Sequence, residues 1–258
     1  LFLKPVISRE EGFNVLVPEI DQDRCTLCGR CADACAFNAL NVVRGLNRVL
    51  FSADLCHSCG VCSFVCPVPG ALTDVPRRRG LIRYGSHGNS AERTVPEEPN
   101  FVAGTLNVGE ASGASLVREV VSHLGPHRTH ILDAPPGTNC TVVEALARAD
   151  FVILVTEPTP FGVNDLELAL ELVREMKKPH GVVINKHTAR YDLADRFAEA
   201  RGVDVLGRLP FDRSIAVRYA EGGLPTDGSE PLSRVLRNVI RGIEQMTDWN
   251  VLEAGNGH

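Results

Sequence analysis

The spacing of the cysteines constrains this chain more than any other feature of its sequence. Eight of its nine cysteines fall in two runs, CTLCGRCADAC at 25–35 and CHSCGVCSFVC at 56–66. Both runs have the spacing C-x2-C-x2-C-x3-C, and two short β-prone stretches, ALNVV and RVLFS, lie between them. Residues 21–75 are therefore an internal duplication, which predicts two equivalent sites of four cysteines each.

The two runs resemble those of bacterial two-cluster [4Fe–4S] ferredoxins, in which the fourth cysteine of each run ligates the other cluster. The resemblance implies one cluster held by Cys25, Cys28, Cys31 and Cys66, and another held by Cys56, Cys59, Cys62 and Cys35. One departure from the family pattern is that Ala36 follows Cys35, whereas Pro67 follows Cys66. The change leaves every ligand in place, but it bears on the potential and solvent access of a cluster.

Composition and charge argue against several other classes of protein. The 258 residues are 44% hydrophobic and 23% charged, with a net charge of −5. This balance is typical of a globular protein and provides no global basic field for nucleic acid. No apolar run approaches the ~20 residues that span a bilayer, and the start of the chain lacks the pattern of a signal peptide. We therefore expect a cytoplasmic protein with no nucleic-acid partner and no membrane span.

Other interpretations of the cysteines are weaker. Disulfides form in oxidising compartments, and zinc sites take ligands in pairs, which leaves two identical four-cysteine runs unexplained. His57, inside the second run, is interpreted as a neighbour near the surface, with ligation or tuning of a cluster as the alternative. The RRR run at 77–79 is interpreted as part of a solvated linker, with steering of an acidic partner as the alternative.

From about residue 101 the pattern changes to alternating helices and strands. Helical spacing of apolar residues occurs at 114–124, 141–149, 164–176, 191–200 and 231–246. The short apolar stretches THILDA, FVILVT, HGVVIN and VDVLGRLP lie between these segments and predict strands. The alternation predicts an α/β fold, with a parallel sheet and helices on both of its faces.

The stretch HILDAPPG at 130–137 is a second chemical motif. An apolar strand is predicted to end in Asp133, and a Pro-Pro-Gly turn follows it. In P-loop NTPases a strand-end carboxylate holds Mg²⁺, directly or through water. The two prolines fix φ and Gly137 allows the backbone to approach a phosphate. A rigid turn that caps a strand is the alternative interpretation.

Four stretches occur in an order that resembles MinD-type P-loop ATPases: HILDAPPGTNC, ADFVILVTEPTPFGVNDLELAL, GVVINK and RLPFDRSIAVRYAEGGLP. The resemblance is closest to the subgroup that carries an inserted two-cluster ferredoxin domain. It implies that Asp133 is the Mg²⁺- and water-associated acid and that Gly137 belongs to the switch turn. It also implies that Asn185 hydrogen-bonds the nucleotide base and that Pro210 and Asp212 line the base pocket. For Asn185, a polar residue that closes a strand is the alternative.

The resemblance implies a P-loop NTPase-like, mostly parallel sheet and a small inserted α+β ferredoxin domain. The expected parts are an N-terminal remnant of the ATPase domain at 1–20, the ferredoxin-like insert at 21–75, a linker at 76–100, the ATPase domain at 101–248 and a flexible tail at 249–258. Within these, one or two strands broken at Pro18 are expected before residue 20, and one strand is expected at 81–85.

The glycine-rich phosphate loop of the family, G-x-x-x-x-G-K-[ST], does not occur in these 258 residues. The first residues, LFLKP, resemble the family sequence that follows its second strand. We therefore expect either a piece of a longer protein or a chain whose ATPase half is degenerate or supplied in trans. ATP and Mg²⁺ are expected as ligands of the full-length form, and whether the chain is an enzyme stays open.

Three functions are compatible with these motifs. Nucleotide-linked electron transfer to a redox partner protein, by a homodimer joined across the nucleotide site, is favoured because permanent ligation by eight cysteines suits electrons better than cluster delivery. An iron–sulfur cluster assembly or carrier ATPase is the second. A non-hydrolysing, ferredoxin-like electron-transfer subunit is the third.

The ninth cysteine, Cys140, lies seven residues after Asp133. In the nitrogenase iron protein, of the same superfamily, a cluster cysteine follows its switch aspartate at a similar distance, which would imply a metal site shared with a symmetry mate. A buried cysteine in the first turn of a helix is the favoured interpretation.

Overall fold

The computed structural model describes residues 5–86, 100–125, 129–223, 226 and 229–247. It divides into two compact units, of which the first is Pro5–His123 and the second begins at Leu124. Residues 1–4 of the expected remnant, 87–99 of the expected linker and the expected tail at 249–258 lie outside the described residues.

A long antiparallel ribbon is the frame of the first unit. Strand β1 (Val6–Ile20) pairs along its whole length with β4 (Leu72–Ser86), and β5 (Phe101–Leu106) pairs with the other edge of β4. Each ribbon strand has 15 residues, which gives a length of about 50 Å. Residues 21–71 are inserted where β1 ends and β4 begins, so the ribbon carries them at one end.

Alternation along β1 builds the core of this unit. The buried positions on one face are Phe13, Val15 and Val17, and the residues between them are exposed. Helix α3 (Ala114–Ser122) adds Leu116 to the same core. Gly104 of β5 allows this contact, because a Cβ there would lie 2.7 Å from Cγ of Leu116.

The inserted segment repeats one small pattern of structure. Its elements are helix α1 (Arg30–Asp33), strand β2 (Leu40–Val43), strand β3 (Arg48–Phe51) and helix α2 (Val61–Val65). The two short strands predicted between the cysteine runs pair with each other as an antiparallel hairpin. A 3-10 turn at Arg44–Leu46 joins them, and Asn47 completes the reversal with a left-handed φ of 54°.

A parallel sheet organises the second unit, with the strand order β6-β7-β8 among the described residues. Its strands are β6 (Val152–Thr156), β7 (His180–His187) and β8 (Val205–Pro210). The helices of this described part are α4 (Cys140–Ala147), α5 (Pro160–Glu175), α6 (Leu193–Arg201), α7 (Arg213–Ala220) and α8 (Glu230–Met246). The helix α7 has no counterpart in the expectations from sequence.

Both faces of this sheet are covered by helices. On β7, Val182 and Ile184 pack with Leu170 of α5 in one core, whereas Val183 packs with Val239 of α8 in another. Successive residues of a strand point to opposite faces, so the two cores lie on opposite sides of the sheet. The predicted α/β class, with a parallel sheet between helices, is confirmed.

The strand predicted at 129–134 is not formed. These residues belong to no regular element, and the side chain of Ile131 is 94% exposed. A strand needs a neighbour to pair its backbone N–H and C=O groups, and within the described ranges none lies beside this stretch. The apolar pattern alone therefore led to a wrong prediction.

The structure also differs from the expected linker and domain boundary. The strand expected at 81–85 forms as part of β4, and β4 also includes residues 76–80, which pair with β1 although their arginines and glycine are typical of a loop. Strand β5 and helix α3 belong to the first unit as well, so the second unit begins at Leu124 rather than at residue 101.

Strand β1 is unbroken, in contrast to the interruption expected at Pro18. The proline is tolerated because β1 is an edge strand, where a missing N–H removes no essential ladder bond.

Across the described residues, every helix falls short of the length and hydrophobicity that crossing a bilayer requires.

Candidate metal centre

The two cysteine runs surround two cavities in the first unit. Site 1, as we name the first cavity, is lined by Cys25, Cys28, Cys31 and Cys66. Site 2 is lined by Cys56, Cys59, Cys62 and Cys35. The structure thus brings the eight cysteines together in the expected grouping, while ligation by these thiols remains a prediction.

Each short helix provides cysteines to both sites. Cys31 lies in α1 and lines site 1, whereas Cys35, just beyond the end of the same helix, lines site 2. In the second run, Cys62 lies in α2 and lines site 2, whereas Cys66 caps the end of α2 and lines site 1. The two sites therefore share their supporting helices, and neither is complete without both runs.

The turns that begin the two runs have the same backbone conformation. Leu27 and Gly29 have φ values of 54° and 88°, and Ser58 and Gly60 have φ values of 56° and 74°. These left-handed residues flank the second cysteine of each run. Left-handed backbone is unfavourable for Leu27 and Ser58 but not for the glycines, so its repetition marks a shape that both sites require.

Backbone N–H groups point at cysteine sulfurs in both halves of the duplication. The N–H of Ala39 donates to Sγ of Cys35 at 3.3 Å, and the N–H of Ser58 donates to Sγ of Cys56 at 3.4 Å. Hydrogen bonds to ligand sulfurs are among the features through which a protein sets the potential of a cluster.

Burial changes the acidity of the thiols in each site. It raises the pKa of Cys31 and of Cys62, and the nearby Cys25 thiolate contributes to the rise at Cys31. These thiols are therefore protonated at neutral pH when no metal is present. Because iron binds thiolate, loading of the sites releases protons.

The donor set fits iron–sulfur clusters. All nine cysteines are free thiols. Among the described residues, no three His, Cys, Asp or Glu side chains are arranged around a single metal ion. Four thiols around a cavity are the ligand set of a [4Fe–4S] cluster, and such a cluster supplies one-electron redox chemistry when bound.

His57 is part of the wall of site 2. Its ring stacks on Phe37, with centroids 3.6 Å apart and planes within 4° of parallel. Burial lowers the pKa of His57, and the positive charge of Arg79 lowers it further. The lowered pKa favours the neutral imidazole, and the stacked ring forms part of the wall of the site.

A buried ion-pair network lies behind site 2. Arg79 is 0% exposed, and its Nη2 donates to the backbone carbonyl oxygen of Cys56. Its Nε lies 3.1 Å from Oε2 of Glu110, whose side chain is 4% exposed. Arg77 donates from Nη1 to the same oxygen at 2.8 Å. Nη1 of Arg79 has no hydrogen-bond partner in the described part of the chain.

The interpretation of the RRR run as a solvated linker is wrong for Arg79. Along β4, Arg77 and Arg79 point to the same face, towards Glu110, while Arg78 between them is exposed. Sequence reasoning missed this network because it treated the three arginines as one charge patch. The i, i+2 spacing within a strand is the signal that separates them.

The residues expected to bind the nucleotide base lie at one edge of the second unit. Asn185 is near the end of β7, Pro210 ends β8, and Asp212 lies two residues after Pro210. The carboxyl ends of parallel strands form the edge at which α/β proteins bind ligands. Asp212 has a structural role as well, because its Oδ1 accepts from the N–H of Ser214 at 2.7 Å and caps α7.

The other residues implied by the ATPase resemblance lie in an irregular stretch. Asp133 is exposed, and Gly137 has a φ of +97°, as a tight glycine turn requires. Cys140 begins α4 and is exposed, so the buried cysteine favoured from sequence is not found. The side chain of Asn139 caps that helix by accepting from Thr141 and Val142.

Comparison with known proteins bears first on the cysteine module. The family model of a 4Fe-4S dicluster domain matches residues 18–73. A ferredoxin of Pyrobaculum islandicum is 31% identical to this chain over 86 residues, which cover 78% of that protein and 31% of this chain. The chain belongs to the ferredoxin family through this domain.

Two other relatives match a larger share of the chain. An uncharacterized protein of Methanocaldococcus jannaschii is 29% identical over 79% of this chain and 66% of its own length. An iron–sulfur cluster carrier protein of Pyrococcus abyssi is 25% identical over 45% of this chain and 46% of its own length. The chain therefore spans about two thirds of the first of these relatives and about half of the second.

A solved structure, the cell division ATPase MinD of Pyrococcus furiosus, aligns with 52% of this chain and 59% of its own at a TM-score of 0.44 and 20% identity. A likeness of this size does not establish a fold, so the α/β class of the second unit is assigned from its own parallel sheet. The resemblance stated from the sequence is supported by a ferredoxin domain, carrier-protein relatives and an α/β unit in one chain.

The sharing of cysteines between sites predicts the effect of a single substitution. Cys35→Ser removes a site 2 ligand that comes from the first run, so about half of the iron should be lost, and the remaining cluster should be the one in site 1. Cys140→Ser, the matched control, should leave the iron content unchanged. Iron analysis of anaerobically purified variants measures the iron content of both, and electron paramagnetic resonance of the reduced proteins shows whether Cys35→Ser loses the same signal as Cys59→Ser. Equal iron loss in Cys35→Ser and Cys140→Ser, no loss in either, or loss of the site 1 signal in Cys35→Ser would contradict the sharing.

Proposed function

We propose that this chain binds two [4Fe–4S] clusters through its ferredoxin domain and passes single electrons to a redox partner protein. Cys25, Cys28, Cys31 and Cys66 would hold the cluster of site 1, and Cys56, Cys59, Cys62 and Cys35 that of site 2. The observation that carries the proposal is the pair of cavities, each lined by four cysteines of which one comes from the opposite run. Such sharing ties both clusters to one folded frame.

Access from solvent supports electron exchange. Cys28 in site 1 and Cys59 in site 2 are exposed, whereas Cys56 is buried. Each site therefore has one cysteine at the surface, through which a partner protein approaches the cluster closely. Electron transfer needs such proximity but no release of the cluster, and the remaining cysteines hold it in the fold.

Cluster delivery is a second candidate, favoured by the similarity to iron–sulfur cluster carrier proteins. A delivered cluster must leave its ligands. Each proposed cluster would have four cysteine ligands from two runs. Such a site opposes release of the cluster more strongly than a site that is open on one side would.

One experiment separates electron transfer from delivery. The anaerobically purified chain is reduced with dithionite and reoxidised with a viologen dye through repeated cycles, and a parallel sample is incubated with apo-ferredoxin. An electron carrier should regain its absorbance in every cycle and keep its iron in both samples. Transfer of most of its iron to apo-ferredoxin would support delivery and contradict our proposal.

We also propose that the second unit binds the adenosine part of a nucleotide at the carboxyl edge of its sheet. Asn185 would hydrogen-bond the base, with Pro210 and Asp212 beside it, while Asp133 and Gly137 would face Mg²⁺ and phosphate in a full-length form. The pairing of His187 with Pro210 keeps the carboxyl ends of β7 and β8 adjacent. This adjacency supports a base site formed by Asn185, Pro210 and Asp212. Dimerisation across this site and coupling to the clusters belong to the same proposal.

Calorimetric titration with adenosine, ADP and ATP tests nucleotide binding. Because these residues include no phosphate loop, the three ligands should bind with comparable affinity. Loss of the base hydrogen bond in Asn185→Ala should weaken binding up to about tenfold. Asn238→Ala, which changes an exposed asparagine of α8, should have no effect. Equal binding by both variants, or none by the unmodified chain, would sink this part of the proposal.

A further inference from the structure

The two sites differ in the charges around them. Among the residues that the structure describes, those that line site 1 include no charged side chain and consist largely of cysteines and apolar groups such as Ile20, Val49 and Leu72. The wall of site 2 includes Asp74, and the guanidinium of Arg79 donates to the carbonyl of its ligand residue Cys56. Two clusters of the same type would therefore experience different electrostatic fields.

The charge of Arg79 is fixed and poorly screened. A guanidinium stays protonated in proteins, and that of Arg79 is 0% exposed. Its Nη1, which has no hydrogen-bond partner in the described residues, leaves part of that charge uncompensated. Glu110 supplies one negative charge, but Arg77 shares the same carboxylate oxygen. The three side chains together are therefore net positive.

Nearby acidic groups compensate this charge weakly. Asp74 is exposed and accepts a hydrogen bond from Oγ of Ser63 at 2.5 Å. Asp54, 3.9 Å from Arg77, has a side chain that is 82% exposed. Water and salt screen exposed charges strongly and buried charges much less. The buried arginine consequently dominates the field at site 2.

We propose that Arg79 makes site 2 the electron-accepting site of the pair, by raising the reduction potential of its cluster above that of site 1. An added electron makes a cluster more negative, so a buried positive charge stabilises the reduced form. A low-potential one-electron reductant gives up one electron, the site 2 cluster gains it, and no bond or proton is transferred. This inference rests on the proposed two-cluster function.

The test is an anaerobic reductive titration with dithionite, followed by electron paramagnetic resonance. Cys28→Ser and Cys59→Ser identify the signals of site 1 and site 2 by perturbing one ligand of each. In the unmodified chain, the site 2 signal should appear first. Arg79→Met should lower the electron occupancy of site 2 relative to site 1 about tenfold, which is about 59 mV for a one-electron couple.

Two further variants separate charge from structure. Arg79→Lys keeps the charge and should leave site 2 closer to the unmodified chain than Arg79→Met does. Glu110→Gln removes the buried negative charge and should shift site 2 in the opposite direction, to higher potential. If Arg79→Met fails to fold, the Glu110→Gln variant still tests the effect of the buried charge on site 2. Arg78→Met, which removes an exposed arginine from the adjacent position of β4, is the matched control and should move neither signal.

Opposite shifts in Arg79→Met and Glu110→Gln, confined to site 2, support the inference. First reduction at site 1, or shifts of the same sign in both variants, would overturn it. Failure of the proposed function is a separate result, because the unmodified chain would then lack two clusters. An intact two-cluster chain with unmoved potentials contradicts only the role of Arg79.

Discussion

The crossing of the fourth cysteine from each run to the opposite site is the constraint on which the first unit depends. Cys35 and Cys66 follow the two short helices, and each lines the cavity that the other run begins. This exchange requires the helices to lie side by side, with the same left-handed turns leading into each run. The duplication in the sequence is thereby converted into one structure with two interdependent sites.

The antiparallel ribbon both supports the cysteine-containing segment and positions a buried charge beside it. Strand β4 closes the ribbon against β1 and also places Arg79 beneath Cys56. Gly80, the next residue, packs directly against the backbone oxygen of Thr105 on β5, where a Cβ would not fit. A single strand therefore supports the cluster-binding segment, aligns β5 and positions the buried charge, which links the fold of the unit to the properties of site 2.

Local spacing predicted the two short strands between the runs and the helices α4, α5, α6 and α8, because each depends on residues close in sequence, and the ferredoxin resemblance predicted the cysteine grouping. Long-range pairing was not predictable in the same way. Residues 76–80 have the composition of a loop but form part of a strand because β1 lies beside them. The stretch containing Asp133 has the composition of a strand but has no neighbouring strand within the described part of the chain. The burial of Arg79 depends on Glu110, a residue distant in sequence that no motif identifies.

The proposed function requires that eight cysteines hold two cubane clusters in shared sites. The most direct measurement is the content of iron and acid-labile sulfide in the anaerobically purified chain. About eight iron and eight sulfide ions per chain are predicted, as two [4Fe–4S] clusters require. Bound zinc without sulfide, or iron for only one cluster in the unmodified chain, would contradict the account.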